Sequence, residues 1–392
     1  MLIAKLAFRN LMGAGLRTWL NVFVLSLAFV MIIWVHGMLE GMNRYARQAT
    51  IDYQVGGGQF WHHMYDPYDP LTLEDSHATL SPALRELVEQ GRATPILVTS
   101  GAIFPGGRVQ SVLLKGIDPG QTVLKLPTRY LESGQEELIP ALIGSGMART
   151  AGLRTGDEIT VRWRDVHGTF DATDVRIAQI MTVPAPGADA GQIWLDLEDL
   201  RRMMAAPKEA TLAVLAADIG EAPPGDETWI HRNQAYLLRD ITELIRMKSA
   251  SSNVLYGLLL FMGLLAIFDT QILAIWRRRK EIGTLMALGM ERAAVVGLFT
   301  FEGALHGLLA LIVGAVYGIP LLAYSLSRGM AMPAIGSDFG IALPQTLYPS
   351  YGLRLLVLTT LLVLIAVTVV SFLPASKIAR MKPTDALRGK TE

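Results

Sequence analysis

Apolar residues fall in four long runs, at 19–39, 254–275, 293–326 and 353–373, with polar and mixed sequence between them. At about 1.5 Å per helical residue, each run reaches at least roughly the ~30 Å thickness of a bilayer's hydrocarbon core, so each predicts a transmembrane helix. The third is long enough to tilt or bend. The spacing is uneven. Residues 41–250 separate the first run from the second, whereas only a short basic stretch, beginning Trp276-Arg277-Arg278-Arg279-Lys280-Glu281-Ile282-Gly283, leads from the second to the third. The expected fold class is a membrane α-helical protein of four spans, with a large α+β extracytoplasmic domain inserted between the first and second. The first run is longer than a signal-peptide core, and no small-x-small cleavage pattern precedes Glu40, so it reads as a retained anchor.

Charge orients these elements. Lys5, Arg9 and Arg17 precede the first run; Arg277, Arg278, Arg279, Lys280 and Arg292 lie between the second and third; Lys377, Arg380, Lys382, Arg388 and Lys390 follow the fourth. Between residues 327 and 352 there is only Arg328. The positive-inside rule places both termini and the 276–292 loop in the cytoplasm, an arrangement that four spans satisfy. The expected organisation is an interfacial amphipathic helix at 1–18, spans at 19–40, 251–276, 293–327 and 353–373, the large domain at 41–250, a cytoplasmic coupling helix at 277–292, an extracytoplasmic loop at 328–352 and a cytoplasmic tail at 374–392. The amphipathic reading of Leu2 to Leu16 rests on Leu2, Leu6 and Leu11 lying to one side of Lys5, Arg9 and Asn10.

Within 41–250 the period changes. Val109 to Ile117 reads as a strand, stopped by the turn Asp118-Pro119-Gly120. Ile159, Val161 and Trp163 alternate with polar residues, the signature of a half-buried strand. Further strands are expected at 175–183, 192–195 and 211–217, and short helices at 143–152 and through Met203, the latter with Asp196 and Asp199 at its N-cap and N3-like positions. Gly56-Gly57-Gly58 breaks a helical continuation of the first span. From Tyr236 a helical stripe of Leu237, Leu238, Ile241, Leu244 and Ile245 runs on into the second span.

Composition narrows the chemistry. Of 392 residues only 18% are charged, below the usual quarter or so, and mean hydropathy is +0.35. Formal net charge is zero, with 35 basic and 35 acidic residues, which gives no footprint for nucleic acid. With no cysteine there is no disulfide, thiolate ligand or thiol nucleophile. Gly389-Lys390-Thr391 has the last residues of a phosphate-binding loop, but Thr384 stands where its first glycine belongs, so no ATPase is expected in this chain. His62-His63 with Asp66 and Asp69 matches no standard metal spacing and reads as a solvated loop. Three ionisable residues inside spans, Asp269, Glu302 and His306, are costly in hydrocarbon. Glu302 and His306, four apart, are either a proton-relay or metal pair, or a carboxylate paired with a neighbour and a histidine bonded to another helix. Gly303, Gly307, Gly314 and Gly318 share one helix face and permit close approach, within the chain or between subunits.

The basic loop carries the most specific pattern. Arg278, Glu281, Ile282, Gly283, Leu285, Ala287, Leu288 and Gly289 resemble the cytoplasmic coupling stretch of ABC transporter permeases of the FtsX/MacB superfamily, which includes lipoprotein-releasing, macrolide-exporting and cell-division transporters. The acidic Glu302, the tail from Pro374-Ala375 through Ile378-Ala379-Arg380-Met381, Pro383 and Ala386-Leu387-Arg388, and the entry motif Ala7-Phe8-Arg9-Asn10-Leu11 are similar to that superfamily as well. Lys115-Gly116-Ile117-Asp118-Pro119, Ile143-Gly144 and Gly152-Leu153-x-x-Gly156-Asp157 resemble the external domain of the lipoprotein-releasing (LolC/LolE-type) branch. Asp269 departs from the pattern, since relatives often carry a neutral polar residue there.

The resemblance implies a permease subunit that is not itself an enzyme and has no catalytic residue, metal or cofactor of its own. ATP and magnesium would be held by a separate cytoplasmic ATPase docked on the coupling helix. Its other implied partners are a second copy or sibling permease, a periplasmic lipoprotein carrier and membrane lipid, with no nucleic acid. ATP-driven closure would be relayed to the external domains by mechanotransmission, extracting a lipophilic substrate, foremost a lipoprotein, at the outer face of the cytoplasmic membrane. Acyl chains would then lie against Phe29, Ile33, Trp34 and Met38 on the first span and Phe261, Met262 and Leu265 on the second, unless those residues only pack or face lipid. The alternatives are efflux of a peptide or macrolide-like compound, a non-transporting mechanotransmitter that controls a cell-wall hydrolase, and a membrane enzyme built on the Glu302–His306 or His62–Asp69 group.

Overall fold

The computed structural model describes residues 15–132, 138–185, 189–220, 222–331 and 346–378. The N-terminal amphipathic segment, its Ala7–Leu11 motif, most of the 328–352 loop and the tail beyond residue 378 lie outside the described residues. In chain order the principal helices are α1 (Gly15–Thr50), α2 (Pro82–Glu89), α3 (Ser145–Ala151), α4 (Leu197–Met204), α5 (Arg239–Arg277), α6 (Arg279–Ala287), α7 (Arg292–Arg328) and α8 (Leu353–Ile378). The strands of the large sheet are β1 (Gly58–His62), β2 (Ala93–Ile103), β3 (Gln110–Ile117), β4 (Ile139–Gly144), β5 (Glu158–Arg164), β6 (Phe170–Met181), β7 (Gln192–Asp196), β8 (Leu212–Leu215) and β9 (Trp229–Asn233). The chain divides into two compact units, one helical and one β-rich.

In the helical unit, parts of α1, α5, α7 and α8 are long and apolar enough to cross a membrane. Their shared core contains Val22, Leu25, Phe29, Val30, Ile33, Ile267, Ala310, Val363 and Val367. Glycine determines how closely the helices approach. A Cβ on Gly303 would collide with the Ser371 side chain of α8, and one on Gly307 would lie 3.1 Å from Val367. About two turns further on, the same helix face meets α1 instead: a Cβ on Gly318 would lie 2.7 Å from Val30, and one on Gly314 3.4 Å from Phe29 and Val30. Polar tethers supplement this packing. Ser26 and Tyr317 hydroxyls are 3.2 Å apart, Asn21 hydrogen-bonds to Thr270, and the rings of His36 and Tyr256 stack at 5.2 Å.

The β-rich unit is built on a sheet ordered β9-β1-β8-β2-β3-β7-β4-β6-β5. An additional β2–β5 pairing, Gly101↔Trp163 to Ile103↔Val161, joins β2, β3, β7, β4, β6 and β5 into a closed ring. Closure leaves no free edge between those six strands. Neighbours are antiparallel except β3–β7 and β4–β6. One core cluster draws on all six ring strands, including Leu97, Leu114, Ile143, Val161, Ile177 and Leu195, and is completed by Met147 of α3 and Leu200 of α4. A second cluster covers the opposite face with Ile96, Val98, Ile117, Leu142, Trp194 and Leu212.

Several expectations change here. The Ile143–Gly152 helix begins only at Ser145, because Ile143 is still paired with Ile180 on β6 and Ile193 on β7. The 175–183 strand begins earlier, at Phe170, along its hairpin with β5. One expectation holds: Asp196 is the N-cap of α4, its carboxylate accepting from the Glu198 N–H at 3.0 Å, and Asp199, at N3, pairs with Arg202. After α1 a π-helical turn, Ile51–Val55, closes on Gly56, whose φ of +58° suits glycine. A Cβ there would also strike the Leu215 carbonyl.

Candidate functional site

The α5–α6–α7 turn is built from local signals. Helix α5 ends at Arg277, and Arg278 leaves helical geometry (φ −97°, ψ 13°) before α6 starts. Gly289 follows α6 with φ +93°, a conformation that a side chain disfavours, and Glu291 is the extended residue from which α7 begins. Two reversals therefore confine a nine-residue helix between two long ones.

Arg278 is the hub of the turn. Its Nε donates to Glu281 at 2.8 Å, its Nη1 donates to Glu302 at 3.1 Å, and its guanidinium lies 5.3 Å from the Phe299 ring centre. Glu281 is exposed, whereas Glu302 is only 6% exposed. A buried carboxylate requires such a partner, because an unpaired charge loses its hydration without return. Below this pair, Ile282 is fully buried with Ile275, Val295, Val296, Phe299 and Ala375. Thus α6 is fastened to α7 by an ion pair and by an apolar plug one residue past Glu281.

The eight residues of the expected coupling stretch separate into two groups. Ile282 and Gly283 are buried, and Arg278 and Leu285 are half-buried, facing the rest of the unit. Glu281, Ala287, Leu288 and Gly289 are exposed, and Leu288 presents 81% of its surface. A leucine so exposed at a helix end takes little part in the packing of the described residues.

Of the two readings of Glu302 and His306, the geometry supports the second for Glu302. The carboxylate pairs with Arg278, while His306 Nδ1 donates to the backbone carbonyl of Glu302 at 2.8 Å. His306 is thus bonded within its own helix and not, at that nitrogen, to another helix. The four glycines face α8 and α1 of the same chain. Asp269 is exposed on α5.

The substrate-lining candidates also divide. Phe261, Met262 and Leu265 form an exposed stripe on α5, and Trp34 is half-buried. Phe29, Ile33 and Met38 are turned inward and buried, with Phe29 and Ile33 in the shared helical core. For these three the expectation of an open lining surface is corrected: the apolar surface of α1 is instead Leu20, Phe23, Val24, Leu27 and Met31.

At His62–Asp69 the carboxylates serve the backbone. Asp66 accepts from the Tyr68 N–H and Asp69 from the Leu71 N–H. His62 is buried in β1 rather than solvated, and burial, with His63 beside it, lowers its pKa. Among the described residues, no group of three His, Cys, Asp or Glu is placed to hold a metal.

Residues 253–383, which contain this turn, match the family described as FtsX-like permease C-terminal. Over a longer stretch, the chain is 25% identical across 317 residues to the lipoprotein-releasing system transmembrane protein LolC of Xylella fastidiosa strain 9a5c, covering 74% of this chain and 76% of that protein. A LolC of Neisseria meningitidis serogroup B is 22% identical over 261 residues, covering 61% of this chain and 62% of its own length. An uncharacterized ABC transporter permease of Methanocaldococcus jannaschii is 28% identical over 167 residues, covering 42% of this chain and 39% of its own length.

Proposed function

From the FtsX-like permease domain that this chain carries at residues 253–383, we propose that it is the membrane subunit of an ATP-driven transporter that releases lipoproteins from the outer leaflet of the cytoplasmic membrane. The observation that carries this reading is the α6 turn, with one side locked into its own unit by Arg278, Glu302 and Ile282 and the other offering Leu288 to a partner. In this proposal a separate ATPase seats on Leu288 and its exposed neighbours. Because Ile282 and the ion pair fasten α6 to α7, a push on α6 would move α7 with it rather than bend the loop. The β-rich unit, which lies between α1 and α5 in chain order, would be extracytoplasmic and would receive that movement. Work of this kind is needed, since removing an acyl chain from lipid costs about 0.8 kcal/mol per buried CH₂.

Lipoprotein cargo is favoured by the LolC names of the relatives and by an exposed apolar stripe on α5, against which acyl chains would lie. The test is mass spectrometry of what co-purifies from native membranes in mild detergent. An ATPase together with acylated proteins is expected; an ATPase with a cell-wall hydrolase and no lipoprotein would replace the cargo with a signalling role. Leu288→Asp is expected to reduce ATPase recovery at least tenfold while leaving the melting temperature of the purified chain unchanged. Undiminished recovery would remove the docking surface from the proposal.

A further inference from the structure

The β-rich unit contains a cavity of about 460 Å³ that the transport reading does not use. It lies beside the second core cluster, over β1, β8, β2, β3 and β7, and its volume is within the usual range for small-molecule sites, roughly 300–1,000 Å³. Its wall is unusually aromatic: Tyr53, Trp61, Tyr65, Tyr68, Trp194 and Tyr236 all line it. Ile96, Leu124 and Leu212 supply the aliphatic surface.

Among these apolar groups is one lysine. Lys115, on β3, is paired in register with Trp194 on β7, and its ammonium lies 5.1 Å from the Trp194 ring centre. Among the described residues it has no carboxylate or hydrogen-bonding partner. Burial lowers its pKa to about 8, so at neutral pH it is still mostly protonated. The carboxylates lining the cavity are engaged elsewhere: Glu243 accepts from Arg239 at 3.1 Å, and Asp240 accepts from the Tyr68 hydroxyl. Arg239 already has a carboxylate partner through that Nε contact. Gln59 donates to the Gln54 carbonyl and accepts from the Trp61 indole. On this wall the Lys115 ammonium is the cation without a carboxylate partner, and the hydroxyls of Tyr53, Tyr65 and Tyr236 are available to donate beside it. Burial of Tyr65 raises its pKa to about 12, which keeps its hydroxyl a neutral donor.

We propose that this cavity binds an organic monocarboxylate whose planar or aliphatic body stacks on the aromatic wall while its single negative charge pairs with Lys115. One unshared cation matches one charge, and the lack of a second unshared cation disfavours phosphate. Aromatic faces favour a flat or CH-rich body, and the lysine sets polarity and orientation. The inference does not rest on the transport reading, since every group involved belongs to the β-rich unit.

The experiment is equilibrium dialysis of radiolabelled 2-naphthoate and of its neutral isostere 2-naphthamide against the full-length protein in lipid nanodiscs, with empty nanodiscs subtracted. The acid should bind saturably and at least tenfold more tightly than the amide, and Lys115→Met should abolish that preference. In parallel, 2-naphthoate should slow acylation of Lys115 by an amine reagent, read by peptide mass spectrometry, without slowing that of the exposed Lys125. This second measurement needs no variant, so a Lys115→Met chain that fails to fold does not shield the proposal. Absence of saturable binding, equal binding of acid and amide, undiminished binding to a folded Lys115→Met, or unprotected Lys115 would each overturn it.

Discussion

Arg278 meets two carboxylates of very different exposure, and the difference sets what each contact is worth. Glu281 shows 65% of its side chain to solvent, and exposed pairs contribute only about 0–1 kcal/mol. Glu302 is buried, so removing Arg278 takes from its charge a partner that solvent replaces poorly, whereas removing both together avoids that cost. A double-mutant cycle of Arg278→Met and Glu302→Leu, followed by unfolding of the detergent-solubilised chain, should therefore give a coupling of about 0.5–3 kcal/mol, with the double variant more stable than the single Arg278→Met. Glu281→Gln should change stability by a few tenths. Equal losses for Glu281→Gln and Glu302→Leu would contradict the assigned geometry.

The glycines of α7 make a sharper distinction between helices than hydrophobicity does. Gly303→Leu and Gly318→Leu force side chains into α8 and α1 respectively, and each should lower the melting temperature markedly, while Gly297→Ala, with nothing within 4 Å of the added methyl, should be tolerated. Comparable losses at Gly297 and Gly318 would show that helix propensity, not packing, is being measured. The four spans were legible because length and apolar content are local properties. So was β5, whose buried Ile159, Val161 and Trp163 alternate with exposed neighbours. Strand β2 carries no such signal. It is buried continuously from Ala93 to Thr99, so it shows no alternation, and it contains Pro95, which argues against a strand. The proline is accommodated because it lies one residue beyond the β3 register, which ends at Ile96↔Ile117. At the candidate site, the sequence indicated which residues form the turn but not which of them face outward. That depends on α7 supplying Phe299 and Glu302. Lys115 was visible only as part of a motif; its burial depends on Trp194, brought beside it from 79 positions further along the chain.

For the molecule as a whole, the exposed apolar stripe of α5 is one of several such surfaces, with others on α1, α7 and α8, open to a neighbour. The chain has no cysteine, so a single introduced thiol reports contacts without background. If two permease chains meet along this stripe, Phe261→Cys should give a disulfide-linked pair in native membranes, while Phe29→Cys, buried in its own unit, should not; a monomeric Phe261→Cys would place the neighbour elsewhere. The sheet order bears on a different matter, the timing of synthesis. All six ring strands lie between Ala93 and Asp196, so the ring has its full complement before β8 is made. Strand β1, at 58–62, has among the described residues only β8 and β9 as neighbours, at 212–215 and 229–233. At roughly 5–20 residues per second, it must wait several seconds or more after translation for a partner. During that interval the strand carrying Phe60 and Trp61 is an unpaired apolar edge, and a chaperone that binds it would decide how much of this protein matures.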